Sequence, residues 1–568
     1  MKVIAWIVAG SLLLVQKANA QSAPNYESLK GWHLKDWQKD KLMGIGLDKT
    51  YTLLKNKKNT PIIVAVIDSG IDTLHEDLKP VLWINTKEIP NNGKDDDNNG
   101  YVDDVHGWNF LGGKDGTNIE KAASEKARVY HAYKKLYSGK NIDTNRLSSD
   151  EKYQYRMWQK AAADIEPSEE SQQQFSMLVR IYAKLSELDS TLGVHLHKKE
   201  FSTAEVEAAI LDNDAAKKAK MSYVNLMGML PLDKETKNTF ILQNLKEELD
   251  KMKDENDAKE VTPENLRALI TKDNYNDIND RFYGNNDIMG KSSMHGTHVS
   301  GIIAAARNNG KGIDGIADNV QIMTIRAVPN GDEYDKDIAL AIKYAVDNGA
   351  KVINMSFGKS FSPEKKWVDD AFAYAAKKDV LLIHAAGNDH KNIDSTDNFP
   401  STTFLNGSKA TNVITVGASS DNSIAQNYVA SFSNYGKEGV DVFAPGNQIY
   451  STLPGGNAYG FLDGTSMASP VVAGVAALIR SYYPKLSATQ VKQCIEQAAT
   501  RCDTSYTVFK PGTKEKTTLN ELCKTGGLLN AYNAVAAADL LEKKQSKAPV
   551  IKLRKTAKTS FQPLSTKQ

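Results

Sequence analysis

Five short apolar runs, separated by helical patterns, limit the folds that this chain can adopt. The first, residues 61–71 (PIIVAVIDSGI), is rich in β-branched residues and stops at Asp68-Ser69-Gly70. Such a run is typical of a strand buried on both faces of a parallel sheet. Similar runs lie at residues 320–328, 350–358, 380–388 and 412–419, and helical patterns such as DKDIALAIKYAVDNG stand between several of them. This alternation predicts an α/β fold with a mostly parallel central sheet and helices on both of its faces.

The middle of the chain, from about residue 115 to 280, has a different pattern. It is rich in Glu, Lys, Ala, Gln and Leu and contains little Gly or Pro. Capping-box patterns start at Ser148 and Ser202, and stretches such as QQQFSMLVRIYAKLSEL place apolar residues at helical spacing. We therefore predict an all-helical insertion at residues 113–284, a packing or lid element without chemistry of its own. It interrupts an α/β domain formed by residues 61–112 and 285–540.

The first 20 residues, MKVIAWIVAGSLLLVQKANA, combine an early Lys, an apolar run and a small-residue ending at Ala18-Asn19-Ala20. This pattern predicts a secretory signal peptide at residues 1–20, removed before Gln21. No cysteine follows the predicted cleavage site to carry a lipid anchor, and no later apolar run approaches the length of a membrane span. We therefore expect an exported protein, periplasmic or extracellular, without a transmembrane segment.

Two further segments lie outside the α/β domain and the insertion. Residues 21–60 include WHLKDWQKDKLMGIGLDKTYTLLK, which we expect to form a strap across the α/β domain. Residues 541–568 are basic and contain few large apolar side chains. Because such a segment cannot bury enough surface to fold alone, we predict a disordered tail there.

The charges of the chain nearly balance, with 71 Lys and Arg against 69 Asp and Glu and a formal net charge of +2. This composition provides no bulk attraction to nucleic acid or to a membrane surface, so we expect no nucleic-acid partner. Three cysteines, Cys494, Cys502 and Cys523, cannot pair completely within one chain. A Cys502–Cys523 disulfide and three buried thiols both stay open, as does the oligomeric state.

Polar residues that could carry chemistry stand at the ends of predicted elements. Asp68 follows a buried strand, at the end where functional groups gather in open parallel sheets, although an Asp before Ser-Gly is also a common turn former. In SSMHGTHVSGIIAAA, His295 lies nearer the open start of a helix than His298, which we assign to packing. Ser466 opens a helix of small residues in GTSMASPVVAGVAALI. It is either a helix N-cap or a nucleophile.

Three of these motifs together indicate a family. VAVIDSGID, HGTHVSG and GTSMASP, in that order along the chain, resemble the active-site motifs of the subtilases, the subtilisin-like serine peptidases. The Asp–His–Ser order is the one known from subtilisin, so it is recognised and not deduced. The resemblance covers roughly residues 60–112 and 285–535 and leaves out the insertion and the tail. It implies a subtilisin-like three-layer domain and an exported serine endopeptidase.

The resemblance also implies roles for individual residues. Ser466 would be the nucleophile, His295 the general base and Asp68 the group that orients the imidazole. Asn388, in HAAGND, resembles the asparagine that binds the oxyanion together with the backbone N–H of Ser466. In NMSFGK, the positions that resemble the wall of the first specificity pocket are Ser356, Phe357 and Gly358. An extended chain paired with that strand implies a peptide or an unfolded protein as substrate.

Two other functions stay open at this point. A silent binding protein could use the peptidase domain as a scaffold for an insertion that contacts a partner. A scaffold, however, has no need of the four residues Asp68, His295, Ser466 and Asn388 together. An acyl-enzyme could also pass its acyl group to an amine instead of water, which would make the protein a transpeptidase or a cyclase.

An acidic loop predicts a metal site. In DDDNNGYVDD, residues with oxygen ligands recur at alternate positions, and Gly100 allows the sharp turn of a calcium loop. The twelfth position is His106 instead of Glu, so the match is incomplete, and Asp104 is a candidate for the missing carboxylate. A solvated loop rich in Asn and Asp is the alternative. The predicted ligands of a structural Ca²⁺ ion are Asp95, Asp97, Asn99, the Tyr101 carbonyl, Asp103 and Asp104.

Overall fold

The computed structural model describes residues 26–547, with gaps at 229–233, 235, 292, 426 and 502–507. The predicted signal peptide at residues 1–20, Cys502 and most of the predicted tail lie outside the described residues. Cys494 and Cys523 are buried. The pairing of Cys502 with Cys523 therefore stays a prediction.

A mostly parallel sheet of nine strands lies at the centre of the described chain. The described residues form 13 strands, nine of which belong to this sheet. In chain order the 13 strands are β1 (Ile62–Asp68), β2 (Gly107–Asn109), β3 (Val320–Arg326), β4 (Val352–Met355), β5 (Leu381–Ala385), β6 (Val413–Ser419), β7 (Val442–Pro445), β8 (Ile449–Leu453), β9 (Ala458–Leu462), β10 (Thr500–Arg501), β11 (Val508–Phe509), β12 (Lys516–Thr517) and β13 (Gly527–Leu528). The sheet has the order β10-β13-β7-β6-β5-β4-β1-β3-β2, and only the β10–β13 pair is antiparallel. The pairs β8–β9 and β11–β12 form two small antiparallel sheets.

Three neighbouring strands of this sheet carry the residues that the motifs single out. Ile67 of β1 lies opposite Met355 of β4, and Met355 lies opposite His384 of β5. All three strands are parallel, so their carboxyl ends meet at one edge of the sheet. Asp68 and the residues that follow β4 and β5 therefore stand side by side at that edge.

A short N-terminal segment packs against the sheet domain. Its helices are α1 (Tyr26–Leu29), α2 (Trp37–Asp40) and α3 (Leu47–Leu54). Trp32, between α1 and α2, has no exposed surface and packs into the core cluster that contains Val64 and Val66. Its indole Nε1 donates to the carbonyl oxygens of Asn447 at 3.1 Å and Gln448 at 3.0 Å. The segment is thereby fixed to the domain by both apolar and polar contacts.

Helices form the regular elements between residues 113 and 284 of the described chain. The capping boxes at Ser148 and Ser202 are present as predicted, each with the side chain and backbone bonds in place. The insertion has its own apolar core, which includes Leu185, Tyr223 and Leu245. In chain order its helices are α4 (Glu125–Tyr137), α5 (Ser149–Asp164), α6 (Glu169–Leu196), α7 (Thr203–Ala208), α8 (Asp214–Gly228), α9 (Asn238–Asp257) and α10 (Leu266–Leu269).

Two helical layers cover the sheet. The remaining helices are α11 (Met294–Ala304), α12 (Asp335–Asp347), α13 (Lys365–Lys377), α14 (Asn422–Ala425), α15 (Thr465–Tyr482), α16 (Ala488–Gln497), α17 (Leu519–Leu522) and α18 (Ala531–Lys547). In β1, Val64 and Val66 pack in the core that contains α11 and α15, whereas Ala65 and Ile67 pack in the core that contains α12 and α13. This alternation across the strand produces the predicted three-layer α/β domain.

The end of the domain lies further along the chain than the sequence pattern indicates. Helix α18 continues through residue 547, beyond the predicted start of the tail at residue 541. Ala531, Ala534, Val535 and Ala538 pack in the domain core, and this apolar face draws the helix onto the sheet domain. Among the described residues, no helix combines the length and the apolar character that crossing a bilayer requires.

The N-terminal segment offers a matched pair of tryptophans for a stability test. We expect Trp32→Ala to lower the free energy of unfolding by about 3–5 kcal/mol, because it empties a fully buried site and leaves two carbonyl groups unpaired. Trp37→Ala is the control, since the Trp37 side chain is 37% exposed. Denaturant unfolding of both variants measures the difference. Equal, small effects would show that the segment is not part of the stable fold.

Candidate active site

Asp68 and His295 are 227 residues apart in the chain and meet at the carboxyl edge of the sheet. Asp68 ends β1, His295 lies in the first turn of α11, and Asp68 Oδ1 is 2.8 Å from His295 Nδ1. The same oxygen accepts the backbone N–H of Ser69 at 2.8 Å, which fixes the carboxylate. Because an ionised carboxylate only accepts hydrogen bonds, the imidazole proton lies on Nδ1. Nε2 of the neutral ring is then left as an acceptor.

The approach of α11 to β1 depends on a glycine. A Cβ atom at Gly296 would overlap the carbonyl oxygen of Gly70 and lie 3.1 Å from Asp68 Cβ. Any larger residue at this position would therefore push the helix away from the strand and lengthen the bond from His295 to Asp68.

His298 lies one turn further along α11 and has a packing role, as predicted. It is fully buried, and its Nε2 lies 3.1 Å from the carbonyl oxygen of Gly460. Burial lowers the pKa of His298 to about 3. The ring therefore stays neutral and is not available to a substrate.

Ser466 lies in the first turn of α15 and faces the same cavity as His295. This cavity has a volume of about 1190 Å³, and Asp68, His295 and Ser466 all line it. The Ser466 hydroxyl donates to the carbonyl oxygen of Ser356 at 3.1 Å. Among the described contacts no hydrogen bond joins Ser466 to His295. Hydrogen bonds between a serine and the base beside it are often long in a structure without substrate and tighten only when substrate binds.

Asn388 follows β5 and lies beside the start of α15. Its Oδ1 accepts both the backbone N–H and the hydroxyl of Thr465 at 2.9 Å, which fixes the orientation of the amide. A Cβ atom at Gly464, which has φ of 151°, would lie 3.5 Å from Asn388 Nδ2 and 3.5 Å from the Ser466 nitrogen. Two N–H donors therefore flank one small space that the absence of a side chain at Gly464 keeps free.

The predicted specificity strand forms another part of the cavity wall. Ser356, Phe357 and Gly358 follow β4 and line the cavity. The carbonyl oxygen of Phe357 lies 3.0 Å from Nε2 of His384. Burial lowers the pKa of His384 to about 4, so this ring is neutral and donates to the carbonyl. This hydrogen bond links the segment that follows β4 to β5.

The acidic loop gathers three carboxylates, one of which the sequence did not indicate. One oxygen each of Glu88, Asp95 and Asp97 lies within 4.8 Å of the others. Glu88 Oε1 accepts the backbone N–H groups of Asp96 at 3.0 Å and Asp97 at 3.2 Å, while Glu88 Oε2 is buried without a described partner. An orphaned carboxylate oxygen beside two further carboxylates suits a hard cation such as Ca²⁺. Glu88 precedes the loop motif, and nothing in the spacing points to it.

The other predicted ligands in the loop make different contacts. The Asp103 carboxylate accepts the backbone N–H groups of Asn92 at 3.1 Å and Gly93 at 2.9 Å. Asp104 is buried, and its oxygens accept from Tyr344 at 2.6 Å, Asn85 at 2.8 Å and Asn99 at 3.0 Å. Burial raises the pKa of Asp104 to about 6.

The predicted ligand set shares Asp95 and Asp97 with this cluster, and its other members stay a prediction. Asp103 and Asp104 lie outside the carboxylate cluster. Hydrogen bonds to the loop do not separate them from the cluster, because Asp95 and Asp97 also accept the backbone N–H of Asn99, each at 3.0 Å. The side chain of Asn99 also bonds within the loop, since its Oδ1 accepts the backbone N–H of Tyr101 at 2.8 Å. The Tyr101 ring packs edge-on against Trp108 and Tyr344, with ring centres 5.0 and 4.9 Å away.

Comparisons with known proteins agree with this architecture. The sequence model of the subtilase family matches residues 59–526. Thermophilic serine proteinase of Bacillus sp. (strain AK1) is 43% identical over 242 residues, 42% of this chain and 52% of that protein. Cell wall-associated protease of Bacillus subtilis (strain 168) is 36% identical over 277 residues, 46% of this chain and 29% of that protein. Subtilisin DY of Bacillus licheniformis is 40% identical over 216 residues, 37% of this chain and 72% of that protein.

The coverage of these matches differs between the family and the single relatives. The chain spans about half the length of the first of these relatives. The family match, in contrast, begins before β1 and ends just before β13, so it includes eight of the nine strands of the central sheet. With the paired Asp68 and His295 facing Ser466 across one cavity, it follows that this chain belongs to the subtilase family.

Proposed function

We propose that this protein is an exported serine endopeptidase that hydrolyses peptide bonds through an acyl-enzyme on Ser466. The observation that supports it most is the 2.8 Å bond from Asp68 to His295 beside a serine at a helix N-terminus, all lining one cavity. A serine hydroxyl needs a base to become a nucleophile at neutral pH, and this arrangement supplies one. The named relatives are described as a serine proteinase, a protease and a subtilisin.

The first chemical step begins with a rotation of the Ser466 side chain. Its hydroxyl leaves the Ser356 carbonyl and donates to His295 Nε2, the ring nitrogen without a proton. As Oγ attacks the substrate carbonyl carbon, the proton moves to Nε2. Asp68 stabilises the imidazolium that forms and holds its orientation through Nδ1–H, without itself taking the proton.

The attack places a negative charge on the former carbonyl oxygen. Asn388 Nδ2 and the backbone N–H of Ser466 flank the space beside Gly464, and both can donate to this oxyanion. The Ser466 N–H belongs to the first turn of α15, where backbone donors have no helical acceptor and the helix dipole favours an anion. Collapse of the intermediate expels the amine, which takes the proton from His295. Water then attacks the ester by the same route in reverse.

The substrate we propose is a peptide or an unfolded stretch of protein. Ser356, Phe357 and Gly358 form a wall of the cavity beyond the end of β4. We infer that an extended chain adds along this wall by main-chain hydrogen bonds. Phe357, which is half-buried, gives this wall an apolar surface. Export rests on the signal-peptide pattern of residues 1–20 and on the name of the cell wall-associated relative.

We further propose a structural Ca²⁺ ion at Glu88, Asp95 and Asp97. The cluster lies in the loop between β1 and β2, and the ion would neutralise three neighbouring carboxylates there. Burial raises the pKa of Glu88, and the nearby charges of Asp97 and Asp96 raise it further. The ion would thus stabilise the loop and take no part in the chemistry.

The nucleophile can be identified with a fluorophosphonate probe. We expect wild-type protein to be labelled and Ser466→Ala to lose all labelling, because the probe forms a bond only with an activated serine. Ser469→Ala is the matched control, since Ser469 lies on the same helix and is buried against Asn354. Folded wild-type protein that stays unlabelled would point to a binding scaffold instead. Mass spectrometry of the products separates hydrolysis from transfer to an amine.

The role of Asn388 can be tested with an isosteric variant. Asn388→Asp keeps the oxygen that accepts from Thr465 but loses the N–H donor and adds a like charge. We expect kcat to fall by at least about 10²–10³-fold, the loss known for removal of the oxyanion asparagine of subtilisin, with little change in KM. Steady-state kinetics on a chromogenic peptide measure both constants. An unchanged kcat would remove Asn388 from the mechanism.

The metal proposal predicts a calcium-dependent stability. With free Ca²⁺ at 100 times its Kd, the free energy of unfolding should rise by about 2.7 kcal/mol over that in chelator. Glu88→Gln keeps the acceptor for the loop N–H groups but removes a ligand charge, so its response to Ca²⁺ should be much smaller. Asp103→Asn, outside the cluster, should respond like the wild type. Thermal unfolding with and without chelator measures all three, and identical responses would rule out this ligand set.

A further inference from the structure

The cavity beside the triad has a second wall that comes from the helical insertion. Opposite the residues of the sheet edge, helix α9 contributes a row of side chains to the lining of the same cavity. The row recurs at intervals of three or four residues and therefore occupies one face of the helix. Its members are Phe240, Gln243, Asn244, Glu247, Lys251 and Glu255.

This row is distinct from the face that holds α9 in the insertion. Leu245, Leu249 and Met252 pack into the core that α9 shares with α6 and α8. The packing of the insertion therefore does not require the side chains that face the cavity. These side chains are therefore available to contact a molecule that enters the cavity.

Contacts with the first residues of the insertion fix α9 in place. Lys121, which follows β2, forms an ion pair with Asp254 at 2.8 Å and donates to the carbonyl oxygen of Asp250. Just beyond the helix, the carbonyl oxygen of Ala258 lies 2.9 Å from Nε2 of His131 on α4. The C-terminal end of α9 is thus tied to the start of the insertion, where Lys121 pairs with Asn330 of the sheet domain in a parallel β-bridge.

The dimensions of this wall match a polypeptide. From residue 240 to residue 255 the helix rises about 22 Å, which equals the length of roughly six or seven residues of an extended chain. The cavity volume of about 1190 Å³ exceeds the roughly 300–1,000 Å³ of ordinary small-molecule pockets. The row on α9 can therefore contact substrate residues several positions away from the bond that is cleaved.

Three charged side chains of the row have no counter-ion among the described contacts. Glu247 accepts a hydrogen bond from Gln243 at 3.1 Å, and its charged neighbours Glu120 and Asp250 are both acidic. Lys251 and Glu255 follow at intervals of one helical turn, and neither forms an ion pair among the described residues. Charges that face a cavity without a partner are available to charges on a substrate.

We propose that α9 is a specificity-determining wall of the substrate cleft, which selects extended peptides by the charge of side chains remote from the cleaved bond. This inference rests on the proposed peptidase function. The charges of Glu247, Lys251 and Glu255 alternate in sign, so replacing Lys251 by glutamate makes all three positions acidic. A peptide with basic residues at the matching positions then binds better, and an acidic one binds less well.

The test compares two lysines on the same helix. Lys251→Glu changes the cavity face, and Lys253→Glu makes the same change of net charge at a side chain that is 65% exposed and pairs with Asp257. Each enzyme cleaves 12-residue fluorogenic peptides that differ only in acidic or basic residues three or more positions from the cleaved bond. A tripeptide anilide, too short to reach the row, serves as the reference substrate.

We expect Lys251→Glu to raise the ratio of kcat/KM for basic over acidic peptides by about fivefold, with the tripeptide unchanged. Lys253→Glu should leave this ratio as in the wild type. Lys251→Gln should shift this ratio by a smaller amount in the same direction. This variant is used for the test if Lys251→Glu does not fold. Equal ratios for the variants at 251 and 253, or an equal loss on the tripeptide, would overturn the inference. Wild-type protein that cleaves nothing and takes no fluorophosphonate label would instead overturn the proposed function itself.

Discussion

The position of Ser466 depends on its own carbonyl group, which receives no hydrogen bond from a backbone N–H four residues further along the helix. Pro470, four residues further along α15, has no N–H, so the helical bond to the Ser466 carbonyl cannot form. The hydroxyl of Ser356 donates to the Ser466 carbonyl instead, at 2.9 Å, and accepts a hydrogen bond from the side-chain amide of Asn354 at 2.9 Å. Asn354 Oδ1 in turn accepts a hydrogen bond from the hydroxyl of Ser469 at 2.8 Å. Helix α15 and the segment formed by β4 and the residues after it are therefore joined by polar bonds. Loss of one bond would leave a buried group unpaired, at a cost of about 1–3 kcal/mol.

The sequence predicts the parts of the site that follow from where elements end. Asp68 ends an apolar run and Asn388 follows another, and parallel strands bring such ends to one edge. Other parts depend on contacts that no local pattern records. Glu88 joins the acidic cluster through the path of a loop, and the Ser466 hydroxyl bonds to the carbonyl of Ser356, which is 110 residues away in the chain. The periodicity of α9 identifies its buried face but cannot say that the other face meets the cavity.

A buried group of charges joins the insertion to the cavity wall formed by Ser356, Phe357 and Gly358. Lys359, directly after that wall, lies 2.6 Å from Glu125 of α4 and 2.8 Å from Asp335, and donates to the carbonyl oxygen of Glu333 at 2.7 Å. Burial alone would lower the pKa of Lys359, but the carboxylates of Asp335 and Glu125 outweigh it and raise the pKa above its usual value. Such a group adds little net stability, because the charges lose their hydration. Its directional bonds instead fix the start of the insertion against residues 356–359.

The place at which the insertion enters the fold explains how it reaches the cleft without disturbing the sheet. Asn109 and Asn285 pair with each other in an antiparallel bridge, so the chain leaves the domain and returns to it at the carboxyl end of β2. Because the ends of the insertion are already together, its length adds little to the entropy of closing the loop. This end of β2 belongs to the same sheet edge as Asp68, the edge at which ligands bind in open α/β sheets. An insertion at this point can therefore build a wall over the cleft while Asp68, His295 and Ser466 stay positioned by β1, α11 and α15.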